Sequence, residues 1–87
     1  MAELLLVIST IQHEFTHLRV KCATRRNTGD LKTLEREFCE PCELESALIA
    51  AGVECDEAHA AFLVFETGLP TFIPVSLNTA WKLGVLE

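Results

Sequence analysis

The first quarter of the chain carries a regular series of apolar residues, and this series constrains the fold more than any other feature does. Its members recur at spacings of four, three, four, three and four residues: Leu4, Ile8, Ile11, Phe15, Leu18 and Cys22. Such spacing places every member on one face of an α-helix. The series therefore predicts a helix over the first 26 residues, with Cys22 as a small residue of its buried face.

Turn-forming and capping residues divide the rest of the chain into shorter predicted helices. In chain order, these helices span about 31–39, 41–51, 56–67 and 77–81. Asp30 and Ser76 are suited to cap two of them, and Pro41 is suited to the first turn of another. The short apolar runs 62–65 and 71–73 also fit strands, because periodicity does not separate the two structures over so few residues. The predicted fold is all-α, a single domain over residues 1–87 built as a small bundle of four to five helices.

Composition limits the kind of protein that this chain can be. It has 87 residues, of which 49% are hydrophobic, so it can bury one small core and is neither disordered nor a two-domain cofactor enzyme. The net charge is −6, and residues 30–87 carry eleven acids against three bases. Direct DNA binding is not expected, because an acidic chain does not neutralise phosphates. The acidic segment suits a partner protein with a basic surface.

The N-terminal residues and the cysteines indicate the compartment. The apolar run Leu4–Ile8 is too short for a signal peptide and has no basic residue before it. No run is long enough to span a membrane, so we expect a cytoplasmic protein without membrane contact. In that compartment, thiols or metal ligands are more common than disulfides, and this applies to Cys22, Cys39, Cys42 and Cys55.

Two short motifs contain residue types that bind zinc. Residues 13–17 read His-Glu-Phe-Thr-His, and histidines four residues apart on a helix can chelate one ion. Residues 39–42 read Cys-Glu-Pro-Cys, and two thiolates suit the same tetrahedral ion. Cys42 should lie at a helix N-terminus, where a thiolate is favoured. The spacing predicts one structural zinc held by His13, His17, Cys39 and Cys42.

This set of ligands resembles the HHCC zinc-binding domain at the N-terminus of retroviral integrases. The resemblance covers about residues 1–45 and rests on ligand spacing and helix order. It implies a small helical bundle pinned by zinc that often dimerises, so a homodimer is a further expectation. It gives Glu14 no catalytic role. DNA integration is not implied, since the rest of the chain does not resemble an integrase catalytic core.

The motif of residues 13–17 is also similar to the His-Glu-x-x-His motif of gluzincin metallopeptidases. That resemblance implies a catalytic zinc, with Glu14 as the general base and Glu43 as a third ligand. The family also needs a β-sheet before its active-site helix, whereas the twelve residues before His13 are predicted to be helical. A minimal zinc hydrolase is therefore an alternative rather than the main prediction.

A third combination of zinc-binding residues is present further along the chain. Cys39, Cys42, Cys55 and His59 match a zinc finger in spacing, but the interval between them is helical and lacks the hairpin of a finger. His59 is more simply a surface histidine.

The predicted first helix has a second side that needs a cover. His13 and His17 project opposite the main apolar face, and Leu6 and Val20 share that second side. This second side would be covered by a metal ion that joins the histidines to Cys39 and Cys42, by the apolar C-terminal tail or by a second subunit.

The C-terminal tail holds many large apolar residues for its length. They belong to the core if the tail packs on its own domain, and they mark an interface if they form an exposed patch, with Trp81 as its anchor.

We predict a macromolecule-binding module, stabilised by zinc, that binds another protein through Glu43, Glu45, Phe72 and Trp81. The alternatives are a metal-free acidic inhibitor with a surface that mimics nucleic acid, and the zinc hydrolase.

Overall fold

The segment expected to form the first helix forms a β-hairpin instead. The computed structural model describes residues 4–12, 14–24 and 33–87. Strand β1 (Leu4–Gln12) and strand β2 (Thr16–Thr24) pair in antiparallel fashion. The predicted helix over the first 26 residues is therefore wrong. Its expected end at 27–29 and the Asp30 cap lie outside the described residues.

The burial pattern explains why this segment is extended. Along the first part of β1, buried residues alternate with half-buried ones, and Leu4, Leu6 and Ile8 are buried. Val20 lies opposite Ile8 on β2 and is also fully buried. Alternate side chains of a strand face the same side. The hairpin therefore buries Leu6 and Val20, which a helix leaves on its second side. The β-branched residues within 7–11 also favour a strand.

Two further strands complete one antiparallel sheet. Strand β3 (Arg36–Phe38) pairs with β2, and strand β4 (Thr71–Val75) pairs with β1, which gives the order β3-β2-β1-β4. The helix predicted over about 31–39 is wrong because β3 occupies part of that range. Strand β4 confirms the strand alternative for residues 71–73. Its Pro74 is tolerated because β4 is an edge strand, where a missing N–H costs no ladder hydrogen bond.

The second half of the chain supplies the helices, which are α1 (Pro41–Ala50), α2 (Cys55–Ala58), α3 (Ala60–Thr67) and α4 (Leu77–Leu83). The predictions for α1 and α4 are confirmed, and the helix predicted over 56–67 is divided at His59. The fold is thus α+β, and the predicted all-α helical bundle is wrong. Among the described residues, no helix has the length and apolar character needed to cross a membrane.

The sheet and the helices form two layers around one core. We call the side of the sheet that faces the helices its inner face, and the opposite side its outer face. The core contains Leu4, Leu6, Ile8, Leu18, Val20, Cys22, Phe38, Ile73 and Val75 from the inner face, and Leu44, Leu48, Ala61, Val64, Ala80 and Leu83 from the helices. Cys22 is buried, as predicted. The outer face carries the alternate residues, which are half-buried or exposed.

The C-terminal residues close the sheet beside β3. Ser76 caps α4 by accepting a hydrogen bond from the Thr79 N–H, which confirms the predicted cap. Gly84 ends the helix with a φ of 87°, which favours glycine. The Arg36 guanidinium donates a hydrogen bond of 2.7 Å to the Leu83 carbonyl, one of those that a helix end leaves unpaired.

The segment after α4 then runs beside the residues that precede β3. The Leu34 N–H donates to the Val85 carbonyl at 2.9 Å, and Thr33 forms an antiparallel bridge with Leu86. Val85 and Leu86 are both buried. The end of the chain is therefore part of the core.

The hairpin can be tested against the helical interpretation with two substitutions. Leu6→Ala should lower the free energy of unfolding by about 2–5 kcal/mol, because Leu6 is fully buried and alanine would leave a cavity. Phe15→Ala is the control, because Phe15 is 73% exposed and should change stability by at most about 0.5 kcal/mol. Urea denaturation followed by circular dichroism measures both. A helix with Phe15 on its buried face predicts a large loss at Phe15, and that result would contradict the hairpin.

Candidate functional site

The histidine pair of the predicted zinc site belongs to the hairpin. His17 is the second residue of β2, lies opposite Ile11 and is half-buried. Glu14 is exposed between the two strands, and His13 lies outside the described residues. Both family resemblances place these side chains on a helix. For Glu14 and His17 that placement is wrong, so the hydrolase alternative loses the helix that would aim Glu14 at a metal-bound water.

The two cysteines of residues 39–42 lie where the sheet gives way to α1. Leu18 and Phe38 form the last residue pair at one end of the β2–β3 ladder. His17 and Cys39 are the next residues beyond that pair, so both lie at the same end of the sheet. Cys42 lies in the first turn of α1. Both cysteines are exposed, free thiols. We call residues 39–42 the cysteine corner.

The backbone between the two cysteines is extended at Glu40. This residue has φ −128° and ψ 144° and stands immediately before α1. A residue that precedes proline favours such angles, because the ring of Pro41 excludes the helical region for it. The extended Glu40 therefore places Cys39 before the first turn of α1 and Cys42 within it.

Glu40 also controls the protonation of Cys42. The Cys42 thiol donates a hydrogen bond to Oε2 of Glu40 over 3.5 Å. This hydrogen bond, together with desolvation and the carboxylate charge, raises the pKa of Cys42 above the ordinary thiol value. Backbone N–H groups at the start of α1 lower it, but they act less strongly. The expectation of a favoured thiolate at Cys42 is therefore wrong, because the neighbouring carboxylate outweighs the helix N-terminus.

Within the described residues, no three or more histidine, cysteine, aspartate or glutamate side chains are grouped to hold a metal ion. His17, Cys39 and Cys42 therefore do not form a three-ligand site by themselves. The zinc-finger set of Cys39, Cys42, Cys55 and His59 lies wholly within the described residues and does not converge either. The imidazole of His59 instead has its Nδ1 3.2 Å from Oε2 of Glu45. Its side chain is 65% exposed, in agreement with the predicted surface histidine.

The predicted partner-binding residues lie on two different sides of the molecule. Glu43 and Glu45 belong to α1 in the helical layer, and Glu43 is exposed. Trp81 belongs to α4 and is 64% exposed, so it is not a core residue. Phe72 is 59% exposed, but it alternates with the buried Ile73 and therefore projects from the outer face of the sheet. The four residues do not form one continuous surface.

The structure contains a cleft that the sequence patterns did not indicate. Its volume is about 220 Å³, and it is lined by Gly52, Val53, Glu54, Glu57, Ile73, Pro74, Val75, Ser76 and Thr79. These residues come from the turn after α1, the start of α2, the end of β4 and the start of α4. The cleft therefore exists only because β4 brings the start of α4 beside the turn between α1 and α2.

The chemistry of the cleft is acidic and mainly polar. Glu54 and Glu57 are exposed carboxylates at the start of α2, and among the described lining residues none is basic. Ser76 and Thr79 add hydroxyl groups, which lie 3.2 Å apart. Gly52 is suited to the turn after α1, because its φ of 106° disfavours any other residue. Such a cleft can accept a cationic group.

The sequence offered only part of the signal for this site. Glu54 and Glu57 stand out as acids near a helix start, and Ser76 as a cap, but about twenty residues separate the two groups. Only the pairing of β4 with β1 brings them together. The cleft can be predicted only once the pairing of β4 with β1 is known.

The effect of Glu40 on Cys42 can be measured by thiol alkylation. In a variant with Cys42 as the sole exposed cysteine, Glu40→Gln should speed the reaction with iodoacetamide at mildly alkaline pH, because a lower pKa gives more thiolate. Glu43→Gln is the control, since Glu43 contributes only through its backbone N–H. Equal rates in the Glu40→Gln variant and its parent would contradict the assigned role of the carboxylate.

Comparison with known proteins gives no family for this chain. No protein-family model, no curated protein and no solved structure matches it. A functional assignment therefore depends on the chemistry of the acidic cleft and of the surfaces around it.

Proposed function

We propose that this protein is a binding module for another protein with a basic surface, and that its cleft takes up a lysine or arginine side chain of that partner. The observation that carries this proposal is the cleft itself. Glu54 and Glu57 supply its charge, and Pro74 is the exposed apolar residue of its lining, since Ile73 and Val75 are buried. Carboxylates bind a guanidinium or ammonium group through charge-assisted hydrogen bonds.

The charge around the cleft supports a basic partner. Residues 40–87 contain eight acidic residues and one lysine. Seven of the eight acidic side chains are exposed, and Glu45 is half-buried beside His59. Such a field attracts a basic surface and repels nucleic acid phosphates. The proposal therefore keeps a protein partner and continues to disfavour direct DNA binding.

The exposed apolar residues of the helical layer add contact area for the same partner. Leu77 and Trp81 lie four residues apart on α4, so they share one side of that helix, and both are exposed. Large aromatic residues commonly anchor protein interfaces. An acidic layer with an exposed tryptophan provides both attraction at a distance and a contact that excludes water.

The cleft can be tested with a hexa-arginine peptide as the probe. In ¹H–¹⁵N NMR spectra at low salt, the peptide should shift the amide signals of Gly52, Val53, Ser76 and Thr79. The double variant Glu54→Gln, Glu57→Gln should weaken binding by roughly two- to thirtyfold, because two exposed ion pairs are lost. Rising salt should weaken binding to the parent protein as well.

A matched double variant separates the cleft from the general charge. Glu43→Gln together with Glu66→Gln removes the same two charges from α1 and α3, and neither residue lines the cleft. This control should weaken binding less than the cleft variant does. Equal loss in both double variants would reject the cleft and leave only a diffuse acidic surface.

Zinc binding stays a prediction that rests on ligand spacing. His17 and Cys39 both lie just beyond the last β2–β3 pair, at one end of the sheet, and this position favours a shared metal site. Elemental analysis of untagged protein tests it directly. Cys39→Ser should release the metal and lower the melting temperature, and Cys55→Ser should do neither, because Cys55 is an exposed thiol outside the predicted set. Two results together would contradict the zinc prediction. The purified protein would contain no zinc, and a chelator would leave its melting temperature unchanged.

A further inference from the structure

The outer face of the sheet carries an apolar area that no helix covers among the described residues. Register places Val7 opposite Phe72, and Leu5 between Pro74 on one side and Ala23 on the other. All five residues lie on the outer face, because they alternate with residues of the core. Phe72, Pro74 and Ala23 are exposed, and Leu5 and Val7 are half-buried. We call these five residues the sheet patch.

The charges beside the sheet patch nearly balance one another. Arg19 and Lys21 on β2 are the basic residues of the outer face, and Glu37 lies opposite Arg19 on β3. The Arg19 guanidinium also has its Nε 3.6 Å from Oε2 of Glu35. The described part of the outer face is therefore close to neutral, whereas residues 40–87 carry eight acids and one lysine.

This difference between the layers determines which face two copies of the chain can share. Two helical layers would repel each other because both are strongly acidic. Two outer faces meet without that penalty. Their apolar centres would face each other, and Arg19, Lys21 and Glu37 would remain at the rim in water, which is the usual arrangement of a protein interface.

The edges of the sheet are less suited to self-association than its outer face. β4 contains Pro74, which lacks an N–H for an added strand. On the other side, the segment that leads into β3 already pairs with the C-terminal residues through the Thr33–Leu86 bridge. Pairing of copies through either edge is thereby hindered.

The outer face is also large enough for a dimer. The molecule measures 35 × 26 × 18 Å, and a two-layer fold is thinnest across its layers, so its broad faces are the largest available. An ordinary dimer covers roughly 800 Å² on each partner. The accessible surface of the protein is 5537 Å², so the interface needs roughly one-seventh of it.

From these observations we infer that the protein forms a homodimer in which the sheet patches of two copies pack face to face. The inference goes beyond the proposed function, because Glu54 and Glu57 of the cleft lie outside the sheet patch. Pro74 is the one residue that belongs to both the cleft and the sheet patch. It also predicts different salt effects for the two interactions. Salt should change the dimer little, because the outer face is close to neutral, whereas it should weaken binding of the basic partner.

Sedimentation equilibrium over a range of protein concentrations tests the dimer. Phe72→Glu should convert it to a monomer or weaken dimerisation at least tenfold, because the change places a charge within the sheet patch. Leu63→Glu is the matched control, since Leu63 is 56% exposed on α3 and Phe72 is 59% exposed. The control variant should dimerise like the parent protein. A parent that remains monomeric up to roughly 1 mM would overturn the inference.

A second measurement needs no substitution and therefore does not depend on the variants folding. On dilution of the parent protein, the NMR signals of Leu5, Val7 and Phe72 should shift with concentration, and those of Glu43 and Leu63 should not. Concentration-dependent shifts confined to the helical layer would overturn the face-to-face arrangement. Dimerisation that Leu63→Glu weakens as strongly as Phe72→Glu would overturn it as well.

Discussion

The pairing of β1 with both β2 and β4 is the interaction on which the rest of the structure depends. One neighbour follows β1 directly in the chain, and the other comes almost fifty residues later. Between them they place the inner-face residues Leu4, Leu6 and Ile8 in one continuous apolar surface. Both α3 and α4 contact β1. Without this central strand, the helices would have no surface on which to bury Val64 or Leu83, and the cleft beside β4 would not exist.

The sequence predicted the features that depend on neighbouring residues and not those that depend on distant ones. Pro41 at the start of α1, Ser76 as a cap and Gly84 after the last helix are local signals, and the structure follows them. The prediction for the first 24 residues was wrong because a spacing of four residues places side chains on the same side in both a helix and a strand. The spacing of Leu4 and Ile8 therefore fits either structure. Leu6 and Val20 decide between them, since only a strand buries these two with the others. The expectation that Glu14 and His17 lie on a helix inherited that error, whereas the cleft was missed because strand order brings its two halves together.

The distribution of charge follows the two layers of the fold. The acids concentrate in the second half of the chain, and that half supplies the helices, so the charge asymmetry along the sequence becomes an asymmetry between the faces. The sheet keeps a mixed and nearly neutral outer face. One small domain therefore presents two chemically distinct surfaces, and neither is required for the core. Selection can change either surface with little effect on stability, because surface substitutions away from special features are nearly neutral.

The contribution of the C-terminal residues to the core has a consequence for biosynthesis. The hairpin of β1 and β2 is complete once residue 24 has been made, but β4 ends only at residue 75 and the Thr33–Leu86 bridge forms only after residue 86. At roughly 5–20 residues per second, the nascent hairpin waits several seconds for its second neighbour. During that interval the inner face and one edge of β1 remain uncovered, and such surfaces invite association with other nascent chains. The inner face of the hairpin is therefore covered only after β4 and the helices that pack on it have been made.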